Sequence, residues 1–123
     1  MECESTNPSD RIDRLVFDPR TELAEHATHF GFYTCPKCQV KTRLQRTDFA
    51  TNLTSKISPA DRTVLDGFYQ VIASKSHLLE SSLDFYCPGC RLVVRIVYEC
   101  VEFAMGSYYY VMQKVLELQL PTV

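Results

Sequence analysis

The rhythm of hydrophobic and polar positions changes along this chain, and each change marks an element. From Thr28 to Thr34, Phe30 and Phe32 alternate with His29, Gly31 and Tyr33, the period of a strand. From Gln39 to Arg46, Val40 and Leu44 are opposed by Lys41, Arg43 and Gln45, which predicts a half-buried strand. The C-terminal third is rich in β-branched and aromatic residues. Arg91 to Phe103 and Tyr108 to Gln119 predict a long hairpin, with Met105-Gly106-Ser107 as its turn. In its first strand Leu92, Val94, Ile96, Tyr98 and Cys100 share one face, and Arg91, Val93, Arg95, Val97 and Glu99 share the other.

The clearest helix signal is Ser58-Pro59-Ala60-Asp61. Ser58 can accept from first-turn amides, Pro59 needs no donor there, and Asp61 suits the positive helix end. Val64, Leu65, Phe68, Val71 and Ile72 form its apolar stripe, while Gly67 and Ser74 predict a stop or bend before His77. Leu78, Leu79 and Leu83 read as a further helical turn. Weaker signals place a helical turn over Asp10 to Phe17 and a helix after Asp18-Pro19 carrying Glu22, Leu23 and His26. Residues 1–9 read as a flexible tail and Thr47 to Lys56 as a polar turn. The expectation is one α+β domain over residues 1–123, with the Ser58 helix covering the hairpin.

Composition narrows the function. Apolar residues make up 46% of the chain, ordinary for a globular protein rather than a disordered one. Charge interrupts every apolar stretch, so no segment predicts a bilayer span and no membrane partner is expected. A formal net charge of -2 argues against a surface built wholly for nucleic acid. The opening residues, Met1 to Pro8, are acidic and polar where a secretory signal is basic and then apolar, so the expected compartment is the cytoplasm. In reducing cytosol, paired Cys-x-x-Cys spacings point to metal or redox chemistry rather than disulfides.

Two such pairs occur, Cys35-Pro36-Lys37-Cys38 and Cys87-Pro88-Gly89-Cys90. Their contexts echo each other: Phe32-Tyr33-Thr34 precedes the first and Phe85-Tyr86 the second, and Arg43 and Arg95 stand at the same offset beyond each. A two-residue gap lets both sulfurs of a pair meet one ion, and two pairs complete the tetrahedron of a structural zinc. Turn amides can donate to the sulfurs, and Pro36 and Pro88 stiffen the turns. The competing reading, a redox Cys-x-x-Cys, expects a strand-to-helix junction, whereas both knuckles here lead into strand-like sequence.

The knuckles and their following strands resemble those of zinc-ribbon proteins, over about half the chain. The resemblance implies one closed, non-catalytic zinc site on β knuckles, with the Ser58 helix as an insertion between them. It specifies a metal better than a job, because a fold alone does not give function.

Of the remaining chemistry-bearing residues, Cys3 reads as incidental and Cys100 as a small core residue. His26, His29 and His77 read as surface or core histidines, although His26 and His29 form a weak ligand-spaced pair. Lys37, Lys41, Arg43 and Arg46, with Arg91 and Arg95, are either a solvated strand face or a patch for phosphates or an acidic protein. Within Tyr108 to Tyr110, alternation leaves at least one ring exposed. No Gly-rich phosphate loop, open metal position or nucleophile–base motif is present. The functional expectation is a non-catalytic protein that binds another protein, by analogy a small immunity protein occluding a bacterial toxin through Arg43, Arg95, Tyr108 and Tyr110. The alternatives are a zinc-ribbon nucleic-acid module and a docking subunit of a larger assembly.

Overall fold

Strand pairing dominates the architecture. The computed structural model describes residues 2–18, 30–50, 56–70 and 78–119. Among these, β1 (Glu2–Thr6), β2 (Val16–Phe17), β5 (Leu78–Tyr86), β6 (Val93–Ala104) and β7 (Ser107–Gln119) form one antiparallel sheet in the order β1-β7-β6-β5, with β2 also on β7. A separate two-stranded sheet pairs β3 (Phe30–Thr34) with β4 (Lys41–Gln45). Among the described residues the helices are α1 (Arg46–Ala50) and α2 (Pro59–Phe68). The described residues are therefore mostly β with two short helices, consistent with an α+β class.

The expected hairpin forms, and Gly106 takes the left-handed conformation its turn requires (φ 75°). Over its first half, Val93 to Tyr98, β6 is buried on both faces. Leu92, Val94, Ile96 and Tyr98 enter one core cluster, while Val93 and Val97 enter another with Leu65, Leu116 and Leu118. Register shifts between Val97 and Tyr98, and between Glu102 and Ala104, interrupt the even alternation that the sequence suggests.

Helix α2 begins as expected: Ser58 is the N-cap, its hydroxyl accepts from the Asp61 amide at 3.2 Å, and Pro59 opens the first turn. The Tyr86 hydroxyl reinforces this end, accepting from the Ser58 amide at 3.0 Å and donating to the Asp61 carboxylate. The helix ends at Phe68, and Leu65 carries it onto the sheet with no exposed surface.

Several local expectations give way to pairing. Residues 2–6 are not a free tail but β1, which satisfies the open backbone edge of β7 from Glu2↔Gln119 to Thr6↔Val115. Leu78, Leu79 and Leu83 lie in β5 rather than in a helical turn, because their backbone pairs with Val101, Cys100 and Ile96. Between Asp10 and Phe17, a 3-10 turn at Pro8–Asp10 leads into extended chain, held where Ile12 bridges Tyr33. The polar stretch after Arg46 starts α1, with Asp48 accepting from the Gln45 amide at 2.8 Å. Phe49 then packs among Phe17, Tyr98 and Tyr110. The helix after Asp18-Pro19, Val71, Ile72 and the histidines His26, His29 and His77 fall outside the described residues.

Among the described residues, two buried charge clusters tie elements together. Arg95 and its cross-strand neighbour Asp84 form two bonds, Nε to Oδ1 at 2.8 Å and Nη2 to Oδ2 at 2.9 Å. Arg95 Nη1 also donates to the Tyr69 carbonyl at 2.8 Å and meets Asp66 of α2 at 2.7 Å. On β7, Glu117 accepts from Arg11 Nε at 3.0 and 3.2 Å and from the Tyr33 hydroxyl, linking the small sheet to the large one. Burial, aided by the Glu117 carboxylate, pushes the Tyr33 phenol far above its ordinary range, so it remains a donor.

Removing one partner of a buried ion pair strands the other. Arg95→Ala is therefore expected to lose about 3–5 kcal/mol in urea unfolding of the metal-loaded protein. Arg43→Ala, on the exposed side of β4, is expected to change stability by no more than about 0.5 kcal/mol. Coincident unfolding midpoints for the two variants would contradict this account.

Candidate metal centre

Each knuckle is a tight turn joining two antiparallel strands, β3 to β4 in the first and β5 to β6 in the second. Their backbones repeat the same bonds. The Cys35 amide donates to the Val40 carbonyl at 3.0 Å, and the Cys87 amide donates to the Leu92 carbonyl at 2.8 Å. The Gln39 amide returns to the Cys35 carbonyl at 3.0 Å, as Arg91 does to Cys87 at 2.9 Å.

Closing both turns forces the residue after the second cysteine into the left-handed region, at φ 65° for Gln39 and φ 63° for Arg91. Neither is glycine, so each carries a conformational cost of about 1 kcal/mol or more. Local contacts partly offset it: Gln39 Nε2 donates to the Pro36 carbonyl at 3.3 Å, and the Arg91 guanidinium lies 4.5 Å above the Tyr86 ring.

The two turns bring Cys35, Cys38, Cys87 and Cys90 together, with all four sulfurs within 4.8 Å of one another. Contacts run across the knuckles, 3.5 Å from Cys35 to Cys90 and 3.4 Å from Cys38 to Cys87. These are not disulfides, and all six cysteines of the chain are free thiols. Four thiolates about 2.3 Å from one ion would stand about 3.8 Å apart, close to the spacing present. The cluster can therefore hold one metal ion, and its all-sulfur donor set suits a soft or borderline cation.

Backbone polarity favours the same outcome. Amides of Lys37 and Cys38 point to the Cys35 sulfur, and those of Gly89 and Cys90 to the Cys87 sulfur. Burial nevertheless pushes the Cys35 thiol up to about 12. At Cys87 burial acts in the same direction, but the Cys90 and Gly89 amides and the neighbouring thiols outweigh it, bringing the value to about 7. Four sulfurs this close cannot all ionise unaided; a bound cation would supply the missing positive charge.

The candidate partner-binding residues do not share one surface. Arg43 is exposed, its guanidinium 4.4 Å above the Phe30 ring. Arg95, expected beside it, is 1% exposed because Asp84, Asp66 and the Tyr69 carbonyl enclose its charge. Tyr110 is likewise buried, packed edge-on against Tyr98 at 5.8 Å. Tyr108 is half-buried near the hairpin turn, opposite Glu102. Of the candidates, Arg43 and Tyr108 retain accessible surface.

Sequence spacing alone did not reveal the Arg11–Glu117–Tyr33 staple, whose members are distant in the chain. A usable signal was nonetheless present: Glu117 and Arg95 are lone charges inside apolar strand runs, Val115-Leu116-Glu117-Leu118 and Val93-Val94-Arg95-Ile96-Val97. Such a charge must find a partner or unfold the strand.

Gly89 tests the cross-knuckle contact. A Cβ built there would lie 2.7 Å from Val40 Cγ2 and 2.8 Å from Cys38 Sγ. Gly89→Ala is expected to weaken metal affinity about 10-fold or more in competition with a chromogenic chelator, comparable to disturbing a ligand's supporting shell. Lys37→Ala, at the corresponding exposed position of the first knuckle, is expected to leave affinity unchanged. Equal affinities for the two variants would overturn the proposed packing of the site.

Comparison with known proteins finds no matching family model, no matching curated protein and no matching solved structure, so the functional reading rests on the chemistry of this centre and its surroundings.

Proposed function

We propose that this chain is a zinc-stabilised, zinc-ribbon-like, non-catalytic protein that works by binding another protein. The carrying observation is the pair of matched knuckles, which offers four thiol ligands from the chain itself. With every tetrahedral position supplied in this way, zinc serves as a cross-link and has no open position for substrate. Cys35, Cys38, Cys87 and Cys90 would hold it.

A protein partner suits the surface better than nucleic acid. Arg95 is neutralised internally by Asp84 and Asp66, which removes one member of the expected basic patch. The formal net charge is -2, so long-range attraction to a polyanion is weak. Exposed Arg43 and half-buried Tyr108 belong to the residue types that commonly dominate interface energy. The specific role we propose is an immunity protein that neutralises a bacterial toxin by occluding its active site in the cytoplasm. Compact size, acidic balance and a closed metal site support that role.

The test combines metal content with binding. Elemental analysis of protein purified without chelator should give one zinc per chain. Mixing with the product of the neighbouring gene should yield a stable complex and suppress that product's activity. Arg43→Glu should weaken the complex by about 1 kcal/mol or more while zinc content stays constant. Salt-sensitive DNA or RNA binding without a protein complex would instead favour a nucleic-acid module.

A further inference from the structure

The four cysteines differ in a way that tetrahedral ligation does not require: how far each residue is exposed to solvent. Cys35 and Cys87 are buried, Cys38 is half-buried and Cys90 is exposed. The sulfur of each buried cysteine contacts that of a more exposed cysteine on the other knuckle, Cys35 with Cys90 at 3.5 Å and Cys87 with Cys38 at 3.4 Å. A disulfide has sulfurs about 2.05 Å apart, so either pair needs only about 1.5 Å of approach to close.

We propose that the cluster is also a peroxide-sensitive modification site, in which exposed Cys90 is oxidised first and Cys35 resolves it into a disulfide across the knuckles. The inference rests on the metal reading of the four cysteines. It goes further by assigning unequal roles to them and naming a hydroperoxide as the reactant.

The steps balance. The Cys90 thiolate attacks one peroxide oxygen; an S–O bond forms, the O–O bond breaks, and the departing oxygen takes a proton from solvent. The product is a Cys90 sulfenic acid. The Cys35 thiolate then attacks the Cys90 sulfur; the S–S bond forms, the S–O bond breaks, and hydroxide leaves to be protonated as water. Each cysteine sulfur has lost one electron and the peroxide has gained two.

Once paired, Cys35 and Cys90 no longer provide two anionic ligands, so metal affinity falls. The new bond joins the same two knuckles that the ion joined, so the fold keeps a link at that point. Cys38 and Cys87 can follow by the same route. Cys3 and Cys100 lie outside the cluster of four and serve as internal controls.

The experiment uses the full chain, with zinc stoichiometry measured before any oxidant is added. Hydrogen peroxide is then titrated in while a chromogenic chelator reports released zinc. Samples are alkylated and mapped by mass spectrometry. The expected first product is a Cys35–Cys90 cross-linked peptide, appearing with zinc release and reversed by dithiothreitol plus zinc. Cys3 and Cys100 should still be alkylated at that stage.

A first disulfide between Cys87 and Cys90, oxidation at Cys3 or Cys100 ahead of the cluster, or no reaction at all would overturn the proposal. Cys90→Ala should abolish the early release; if that variant does not fold, the map of the unsubstituted protein decides. Protein lacking zinc at the outset would overturn the metal reading instead, and the disulfide map would then judge the pairing separately.

Discussion

Four sulfurs meet at one point, and that meeting ties the small sheet to the large one. A two-stranded hairpin such as β3–β4 is marginal alone in water. Here its free end is a knuckle that touches the knuckle of β5–β6, where Gly89 leaves room for Val40 and Cys38. The Tyr33–Glu117–Arg11 bonds hold the same small sheet from a second side. A zinc ion at the sulfurs would turn this contact into a cross-link whose binding energy contributes directly to folding.

The interior charges follow a different logic. Burying Arg95 with Asp84 gains little over a well-packed apolar pair, because both ions lose hydration. What the arrangement secures is geometry: one guanidinium binds its strand neighbour, the carbonyl of Tyr69 and a carboxylate of α2. It thereby anchors α2 across the face that Val93, Val97 and Leu65 make apolar. Glu117 does comparable work on β7, accepting from an arginine and a tyrosine of elements remote in sequence. The same enclosure that makes these residues structural removes Arg95 from any docking surface.

Much of this arrangement was legible because it depends on local pattern. The Ser58 cap, the alternation along β6, the Met105–Gly106 turn and the two cysteine pairs each carry their cause within a few residues. The missed features depend on pairing between distant segments. Nothing in Glu2–Thr6 announces that β7 will offer an edge, and Leu78 to Leu83 have helix-compatible spacing that strand pairing overrides. Arg95 and Tyr110 are buried, against expectation, for a related reason. A strand's period tells which residues share a face, but not whether a helix or an aromatic cluster later covers it. The lone charges within apolar runs were the overlooked clue.

Unfolding of the reduced protein, with zinc bound and after removal by a chelator, tests the central claim most directly. Structural zinc sites contribute on the order of 10–16 kcal/mol of apparent binding free energy at neutral pH. The zinc-loaded chain should unfold in one cooperative transition, and the chelated chain should lose that transition or show it at a much lower temperature. Coincident transitions with and without zinc would contradict the account, because the four sulfurs would then meet without holding the fold together.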